Sequence, residues 1–224
     1  MHRYARPVNA SRRSTASGDH RPSLWEYYDR RVTDRLPGIA NAHAYWNGLG
    51  VKVTIDDIVS EVGQLERRLR ELPPTRFVDV GAGPGSFTGF LPGSGLALDQ
   101  SQRALTALQV AVPHVPVIRA DALRLPLADR SVGRFFAAHL YGLLLADERR
   151  DLLAEARRVA REVLILDAGR PEGVEAAEWQ ERTLNDGRQY QVFRRHFDAE
   201  TLAAEVGGQV LFHGAFYVLV ALDA

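Results

Sequence analysis

The residues best suited to chemistry in this chain follow a short apolar segment. In the sequence FVDVGAGPGS, residues 77–86, apolar side chains give way to Gly81, Gly83 and Gly85. Glycine permits positive φ and close approach of the backbone to a ligand, so the pattern predicts a strand followed by a loop around a nucleotide-like cofactor. Asp79 lies inside that strand. Because an unpaired buried carboxylate is costly, we expect it to accept hydrogen bonds from the loop amides or from a cationic ligand group.

The glycine spacing argues against a dinucleotide. A dinucleotide fingerprint has the spacing GxGxxG, whereas Ser86 stands where the third glycine would fall. Nicotinamide and flavin cofactors are therefore disfavoured. Asp99 closes the next predicted strand, where an acidic residue binds ribose hydroxyls in either cofactor scheme, so by itself it does not distinguish between them.

The composition favours one α/β domain. The chain has 224 residues, 46% hydrophobic, which is enough for a full core. Basic and acidic residues both number 28, so bulk charge does not favour a nucleic-acid partner. The absence of cysteine excludes disulfides, thiolate zinc sites and a cysteine nucleophile. No apolar run approaches the roughly 20 residues that span a bilayer, and no secretory signal is visible, so we expect a cytoplasmic protein with no membrane partner.

Strand and helix patterns alternate through the middle of the chain, which predicts a parallel, doubly wound sheet. The predicted strands are residues 76–80, 95–98, 115–119, 132–138 and 162–167, and the predicted helices include 101–112, with Ala111 facing inward, and 147–160. An earlier helix begins after the cap Thr54 and ends before Pro73, with an apolar face that includes Ile55 and Val59. Pro92 and Gly93 limit the first crossover helix to about 86–91.

The two ends of the chain differ from this alternation. Residues 1–22 are arginine-rich and poor in apolar side chains, which predicts a disordered basic tail, and 23–53 are predicted to form an N-terminal flap. The remaining domain is predicted to span 54–224, with a substrate-side insertion at about 171–197. A helix at 201–206, capped by Asp198, precedes strands at 209–213 and 215–222, which must be antiparallel because they meet at Gly214.

The order of these motifs resembles the class I S-adenosylmethionine-dependent methyltransferases. VDVGAGPGS, LALDQS and RADALRLPLADRSV are similar to successive motifs of that family, over residues 76–167. The resemblance implies a Rossmann-like sheet of parallel strands with a reversed C-terminal strand, helices on both faces, S-adenosyl-L-methionine as cofactor and S-adenosyl-L-homocysteine as product. Relatives often have Phe-Asp before the fourth strand, but this chain has Gly133-Arg134, which leaves the role of that aspartate vacant.

The resemblance also implies a role for each matching residue. Asp79 and the backbone of Gly81, Ala82 and Gly83, in the loop that includes Gly85, would face the methionine amino and carboxylate groups. Asp99 would hold the ribose hydroxyls beside Gln100, and Asp121 would accept from the adenine amino group next to the Ala122 amide. The alternatives are a helix cap before Ser101 for Asp99 and a turn residue for Asp121.

Two residues after the fourth strand are candidates for catalysis. His139 and Tyr141 stand at the carboxyl end of this strand, which faces the reacting centre in such sheets. Imidazole titrates near neutrality, so His139 is the predicted general base for a hydroxyl or ammonium proton. The alternatives for His139 are lining the cofactor pocket or satisfying a buried hydrogen bond.

Aromatic and basic residues at both sides of the domain are candidates for binding the acceptor. They are Tyr27, Tyr28, Tyr45 and Trp46 in the flap, and Trp179, Tyr190, Arg194 and His196 after the fifth strand. Aromatic rings can enclose a flat or apolar substrate, and the alternative for each is packing of the flap and insertion onto the sheet. Arg194-Arg195-His196 is consistent with an anion site or with a solvated basic segment.

The absence of several sequence motifs limits the classes of methyl acceptor. Residues 137–142, AAHLYG, differ from the Asn-Pro-Pro-aromatic signature of enzymes that methylate exocyclic base amines, and cytosine-C5 methylation needs a thiolate. Paired glutamates for arginine methylation are absent, and Asp167 offers one carboxylate, so we predict no metal. The prediction is a methyltransferase for O or N of a small molecule, as a monomer or homodimer. The alternatives are a fold that binds the cofactor without methyl transfer, as a cyclase or binding module, and an RNA-directed enzyme anchored by the tail.

Overall fold

A computed structural model describes residues 5–7, 27, 29, 30 and 38–224. The strands in the described part are β1 (Ala5–Pro7), β2 (Thr75–Val80), β3 (Gly93–Asp99), β4 (Val117–Arg119), β5 (Arg134–Ala138), β6 (Glu162–Ala168), β7 (Ala177–Thr183), β8 (Gln189–Arg195), β9 (Gln209–His213) and β10 (Tyr217–Asp223). A seven-stranded sheet has the order β4-β3-β2-β5-β6-β10-β9, and a smaller sheet has the order β1-β8-β7. In the larger sheet β10 runs antiparallel to both β6 and β9, whereas the other pairs are parallel. The predicted Rossmann-like topology with a reversed C-terminal strand is confirmed.

Helices pack around this sheet. They are α1 (Gly38–Gly48), α2 (Ile55–Arg70), α3 (Gln102–Ala111), α4 (Ala146–Val159) and α5 (Ala199–Val206), with short 3-10 turns at Thr88–Phe90 and Tyr141–Leu143. The predicted cap of α2 is confirmed: the Asp57 amide donates to Thr54 Oγ1 over 3.2 Å, and the Thr54 amide donates to the Asp57 carboxylate over 2.9 Å. The first crossover, between β2 and β3, contains only the 3-10 turn Thr88–Phe90, as the break at Pro92-Gly93 predicts.

Three details of the helix predictions were wrong. Ile55 and Val59 are 51% and 45% exposed, because α2 packs on the sheet through the face that carries Ile58, Leu65 and Leu69. Ala111, at the end of α3, is also exposed. Asp198 occupies the N-cap position of α5 but makes no side-chain cap bond. Its carboxylate instead accepts from Arg170 Nε over 3.1 Å.

At Gly133-Arg134, the arginine forms an ion pair with Glu162. Arg134 begins β5 with a side chain 2% exposed, and its Nε lies 2.6 Å from Glu162 Oε2 at the start of β6. Gly133 is needed because a Cβ there would lie 2.0 Å from Thr75 Oγ1. An arginine–glutamate ion pair therefore ties β5 to its neighbour β6.

The segment predicted as an insertion contains the antiparallel hairpin β7–β8, which we call the roof. Exposure alternates along β7, so Gln180 and Arg182 face inward with Val192 and Arg194 of β8. Strand β1 pairs with β8. Residues 5–7 of the predicted tail thus form a strand in the structure. The rest of 1–22 lies outside the described residues.

The described part of the flap contacts both the sheet side and the roof. Asp29 accepts from Ser101 Oγ over 2.9 Å, next to the start of α3, and Arg30 lies 3.5 Å from Asp186 in the turn of the roof. Helix α1 packs on α2. No helix among the described residues combines the length and apolar character needed to cross a bilayer.

Candidate active site

A cavity of about 480 Å³ lies between the carboxyl ends of the parallel strands and the roof. Its floor comes from the segments after β2, β3, β4 and β5, and α1 closes one side. This edge is where open α/β sheets bind ligands, because loops from adjacent strands meet there. The lining includes these residues of the predicted cofactor set: Asp79, Gly81, Ala82, Gly83, Asp99, Gln100, Asp121, Ala122 and His139.

The glycine loop forms one wall of the cavity. Gly83 has φ of 57°, and a Cβ built on it would meet nothing within 4 Å, so the space that a side chain would fill is open. The amides of Gly81 and Ala82 donate to Leu98 O over 2.8 and 3.0 Å, and the Gly83 amide donates to Asp99 Oδ2 over 2.9 Å. The loop therefore offers a ligand close approach and carbonyl oxygens, since these three amides are already bonded within the protein.

Gly85 has a different role from its neighbours. It does not line the cavity, and a Cβ there would lie 2.9 Å from Leu108 Cγ on α3. Its φ of 88° is also in the left-handed region. Gly85 thus permits close packing of the loop on α3, while Gly83 keeps the ligand side open.

Asp79 is buried at the base of the cavity, and only one of its two carboxylate oxygens accepts a hydrogen bond from the described residues. Its side chain is 1% exposed, and Oδ2 accepts from the Thr88 hydroxyl over 2.6 Å. Oδ1 has no hydrogen-bond partner among the described residues. Burial raises the pKa of Asp79 to about 7, against the Thr88 hydrogen bond, which lowers it. A cationic donor placed at Oδ1 would both satisfy the oxygen and return the carboxyl group to its ionised form.

Two further carboxylates stand at the ends of the next strands. Asp99 closes β3 and accepts from the amides of Ser101 and Gly83 over 2.8 and 2.9 Å. Burial raises its pKa despite these bonds. Asp121 follows β4, and its Oδ1 accepts from the Leu123 amide over 2.9 Å. Asp99 thus makes a backbone contact at the start of α3 and Asp121 makes one within a turn, as the alternatives predicted. Both residues also line the cavity.

His139 lies at the point where β5 ends. Its φ of 55° is unusual for a residue with a side chain, and such conformations cluster at functional sites. Its Nδ1 lies 3.5 Å from an Arg194 nitrogen and 3.8 Å from Asp167 Oδ1. Burial alone would raise the pKa of Asp167, but attraction to Arg194 and His139 outweighs it and lowers that pKa. Asp167 therefore keeps a negative charge behind His139.

Residues from α1 and the roof line the side of the cavity opposite the glycine loop. The Tyr45 hydroxyl lies 2.6 Å from His196 Nε2, and Trp46 is 2% exposed. Two guanidinium groups also contact the Tyr45 ring, whose centroid lies 5.3 Å from Arg182 Cζ and 5.6 Å from Arg194 Cζ. Tyr27 lines the cavity and packs on Tyr190, with ring centroids 4.9 Å apart.

Several predicted site residues lie outside the cavity lining. Trp179 is 43% exposed and packs on Phe193 of the roof, and Tyr190 and His196 are buried behind the lining. Tyr141 is buried in the core, where its hydroxyl donates to Glu205 over 2.9 Å. Tyr28 lies outside the described residues.

Two polar residues that line the cavity were not predicted from the sequence. Gln180 and Arg182 alternate with exposed residues along β7, and an Arg182 nitrogen donates to Gln180 Oε1. The period of two along a strand places Gln180 and Arg182 on one face, but no local pattern in 177–183 indicates that this face turns inward, because Ala177 and Trp179 lie on the opposite one.

The sequence of the central region matches a known family model. Residues 78–163 match the model described as "Methyltransferase domain". This central region therefore resembles a methyltransferase domain. The matched region runs from β2 into β6 and contains the glycine loop, Asp99, Asp121 and His139. No curated protein sequence matches this chain.

Solved structures share the fold of this chain at low sequence identity. The DhpI-SAH complex has a TM-score of 0.64 and 18% identity, over 88% of this chain and 93% of that one. The DhpI-SAM-HEP complex has a TM-score of 0.63 and 17% identity, over 88% and 94%. PH0226 from Pyrococcus horikoshii OT3 has a TM-score of 0.57 and 13% identity, over 88% and 98%. At these identities the likeness shows the fold.

Proposed function

We propose that this protein transfers the methyl group of S-adenosylmethionine to an oxygen or nitrogen atom of a small molecule bound under the roof. The observation that supports this most strongly is that one cavity holds two chemically different halves. Asp79, Asp99 and Asp121 line the half nearest the glycine loop, and His139 stands where this half meets the one beneath Arg194. A cofactor and an acceptor would therefore meet at His139.

The three carboxylates fit the donor groups of this cofactor. S-adenosylmethionine presents an ammonium group, two ribose hydroxyls and an adenine amino group, all of which donate hydrogen bonds. Asp79 would hold the ammonium group, because its Oδ1 is buried without a partner among the described residues. Asp99 would hold the ribose hydroxyls and Asp121 the adenine amino group, with Gln100 and Ala122 beside the adenine. The open space at Gly83 leaves room for the ligand.

The cofactor, when bound, supplies an electrophilic methyl group on a sulfonium sulfur. The chain then has to align the acceptor atom with this methyl group and keep water out of the cavity, and α1 and the roof, which line it, would serve both purposes. His139 would accept the proton released when the acceptor oxygen or nitrogen forms its new bond to carbon. Asp167, with Oδ1 at 3.8 Å from His139 Nδ1, stabilises the resulting imidazolium, while Arg194 limits that stabilisation.

The fold neighbours are consistent with a site for two ligands. The DhpI-SAM-HEP complex contains SAM together with a second molecule, HEP, in a protein of the same fold. We infer that the cavity of this chain likewise admits an acceptor beside the cofactor.

Calorimetry of cofactor binding is the first test. We expect S-adenosylmethionine to bind the wild type, Asp99→Ala to lose at least tenfold in affinity, and Asp129→Ala, which removes a carboxylate on an exposed side chain, to bind as the wild type does. Unchanged affinity in Asp99→Ala would contradict the placement of the ribose.

Methyl transfer is tested with a metabolite extract. We expect a protein-dependent mass gain of one methyl group, absent with Asp99→Ala and reduced about 10²- to 10⁴-fold with His139→Gln while cofactor affinity is kept. Tight cofactor binding with no S-adenosylhomocysteine formed from any fraction would favour a binding module instead. A His139→Gln variant with full turnover would remove His139 as the base.

A further inference from the structure

We propose that the acceptor carries an anionic group, a carboxylate or a phosphoryl oxyanion, and that Arg182 and Arg194 bind it. This rests on the proposed function and adds the chemical class of its second substrate. The anionic group is the anchor, and the methylated oxygen or nitrogen lies on the same small molecule within reach of His139.

The two arginines reach the cavity from adjacent strands of the roof. Arg182 pairs with Tyr190 and Arg194 pairs with Glu178 in the β7–β8 register, so both belong to the inner row of side chains. Their guanidinium groups nevertheless converge on one ring, because Arg182 Cζ and Arg194 Cζ lie 5.3 and 5.6 Å from the centroid of Tyr45. Two guanidinium groups near one ring give this part of the cavity positive charge, which attracts an anion.

Charge is divided between the halves of the cavity. Among the described residues, the ionised side chains that line the acceptor half are Arg182 and Arg194, whereas the carboxylates that line the cavity belong to the cofactor half. Two other carboxylates lie behind the lining. Asp167 is fully buried 3.4 Å from Arg194, and the Glu178 carboxylate accepts from Gln180 Nε2 over 2.6 Å. The surface that an acceptor would meet is therefore positive.

Guanidinium geometry favours this class of ligand. The planar fork of arginine presents parallel N–H groups that match the two oxygens of a carboxylate or phosphoryl group, and such charge-assisted bonds strengthen in an enclosed site. Arg194 is 12% exposed, and one of its nitrogens lies 3.5 Å from His139 Nδ1. An oxyanion on Arg194 would thus hold a neighbouring hydroxyl or amine of the same molecule next to His139.

The test is an NMR titration of the full chain loaded with S-adenosylhomocysteine. The probes are benzoate, phenylphosphonate and the neutral benzyl alcohol, and the variants are Arg182→Gln, Arg182→Lys and the control Arg188→Gln. Arg188 lies in the same hairpin with a half-exposed side chain and does not line the cavity, so its loss removes an equal charge outside the site. Arg194→Gln is secondary, because it also deprives buried Asp167 of its neighbour.

We expect an anionic probe to bind at least tenfold more tightly than benzyl alcohol. Its affinity should fall at least tenfold in Arg182→Gln, less in Arg182→Lys, and by less than twofold in Arg188→Gln. Preference for benzoate identifies a carboxylate acceptor, and preference for phenylphosphonate identifies a phosphoryl one. Equal affinity for charged and neutral probes, equal loss in Arg182→Gln and Arg188→Gln, or no binding of any probe would overturn the proposal. If S-adenosylhomocysteine itself does not bind, the proposed function fails first, which separates the two outcomes.

Discussion

The Tyr45 hydroxyl and His196 Nε2 lie 2.6 Å apart and join α1 to the end of the roof. Burial and the nearby charge of Arg194 lower the pKa of His196 to about 4, so the imidazole is neutral at physiological pH. Its Nδ1 lies 3.0 Å from the Glu175 carbonyl oxygen, which can only accept, so Nδ1 carries the proton. Nε2 must then accept from Tyr45, and this bond fixes the ring on which Arg182 and Arg194 converge.

Tyr45→Phe should destabilise the fold while leaving the aromatic packing in place. The change leaves buried His196 Nε2 without its donor, which costs about 1–2 kcal/mol in the free energy of unfolding. For a chain of this length that corresponds to a fall in Tm of about 2–8 °C. Thermal unfolding followed by circular dichroism measures it. A Tm equal to that of the wild type would show that the bond does not hold α1 on the roof.

Cofactor affinity should depend on the ionisation of Asp79. Because the pKa of Asp79 is raised to about 7, the ligand-free carboxyl group is largely protonated below that pH and accepts an ammonium group poorly. We expect the affinity for S-adenosylmethionine to rise as the pH rises through about 7, by up to about tenfold per pH unit on the acid side. Calorimetry between pH 5.5 and pH 8.5, chosen as about 1.5 units either side of that value, measures it.

Two variants isolate this effect. Asp79→Asn should bind weakly with little pH dependence, and Thr88→Val should move the rise to higher pH, because it removes the hydrogen bond that lowers the pKa of Asp79. The same ionisation has the opposite sign for folding. The free energy of unfolding of the ligand-free protein falls as the pH rises from 3.8 to about 7, because over this range Asp79 keeps a proton in the folded state that it has lost in the unfolded state. A pH-independent affinity in the wild type would contradict the contact between Asp79 and the ammonium group.

The two glycines of the loop should respond differently to alanine. Gly83→Ala places a methyl group in open space on the ligand side, so we expect cofactor affinity to fall more than tenfold. Its positive φ costs only about 1 kcal/mol of stability. Gly85→Ala puts the methyl group 2.9 Å from Leu108 and should instead destabilise the fold by about 2–4 kcal/mol.

Calorimetry and thermal unfolding of both variants separate these roles. Well below its lowered Tm, Gly85→Ala should still bind S-adenosylmethionine within a few-fold of the wild type. If Gly83→Ala binds the cofactor normally, the ligand does not approach the loop at this position.

Much of the fold could be predicted because its signals are local. Apolar strands followed by helical periodicity recur within about 30 residues from β2 to β6, and the cap at Thr54 depends on a residue three positions away. The burial of particular side chains was less predictable. Ile55 and Val59 have the spacing of an apolar face, but their exposure depends on where α2 contacts the sheet.

The candidate site also has one part that could be predicted from the sequence and one part that could not. The cofactor half is predictable because each acidic or glycine residue directly follows a strand, and adjacent parallel strands bring these ends together. The acceptor half depends on the roof, whose residues face inward or outward according to a hairpin register. Trp179 was predicted as a site residue but faces outward, and Arg182, three positions later, lines the cavity.

By itself, the sequence determined the strands and helices of the larger sheet, the glycine loop and the three carboxylates of the proposed cofactor half, but not β1, β7 and β8. Each of these features follows from contacts between residues close in the chain or at neighbouring strand ends. The tertiary structure alone decided how the acceptor half is built. Tyr45 and His196 are 151 positions apart, and His139 and Arg194 are 55 apart. Contacts at such separations depend on how the flap and roof pack over the sheet, and no local pattern specifies that packing.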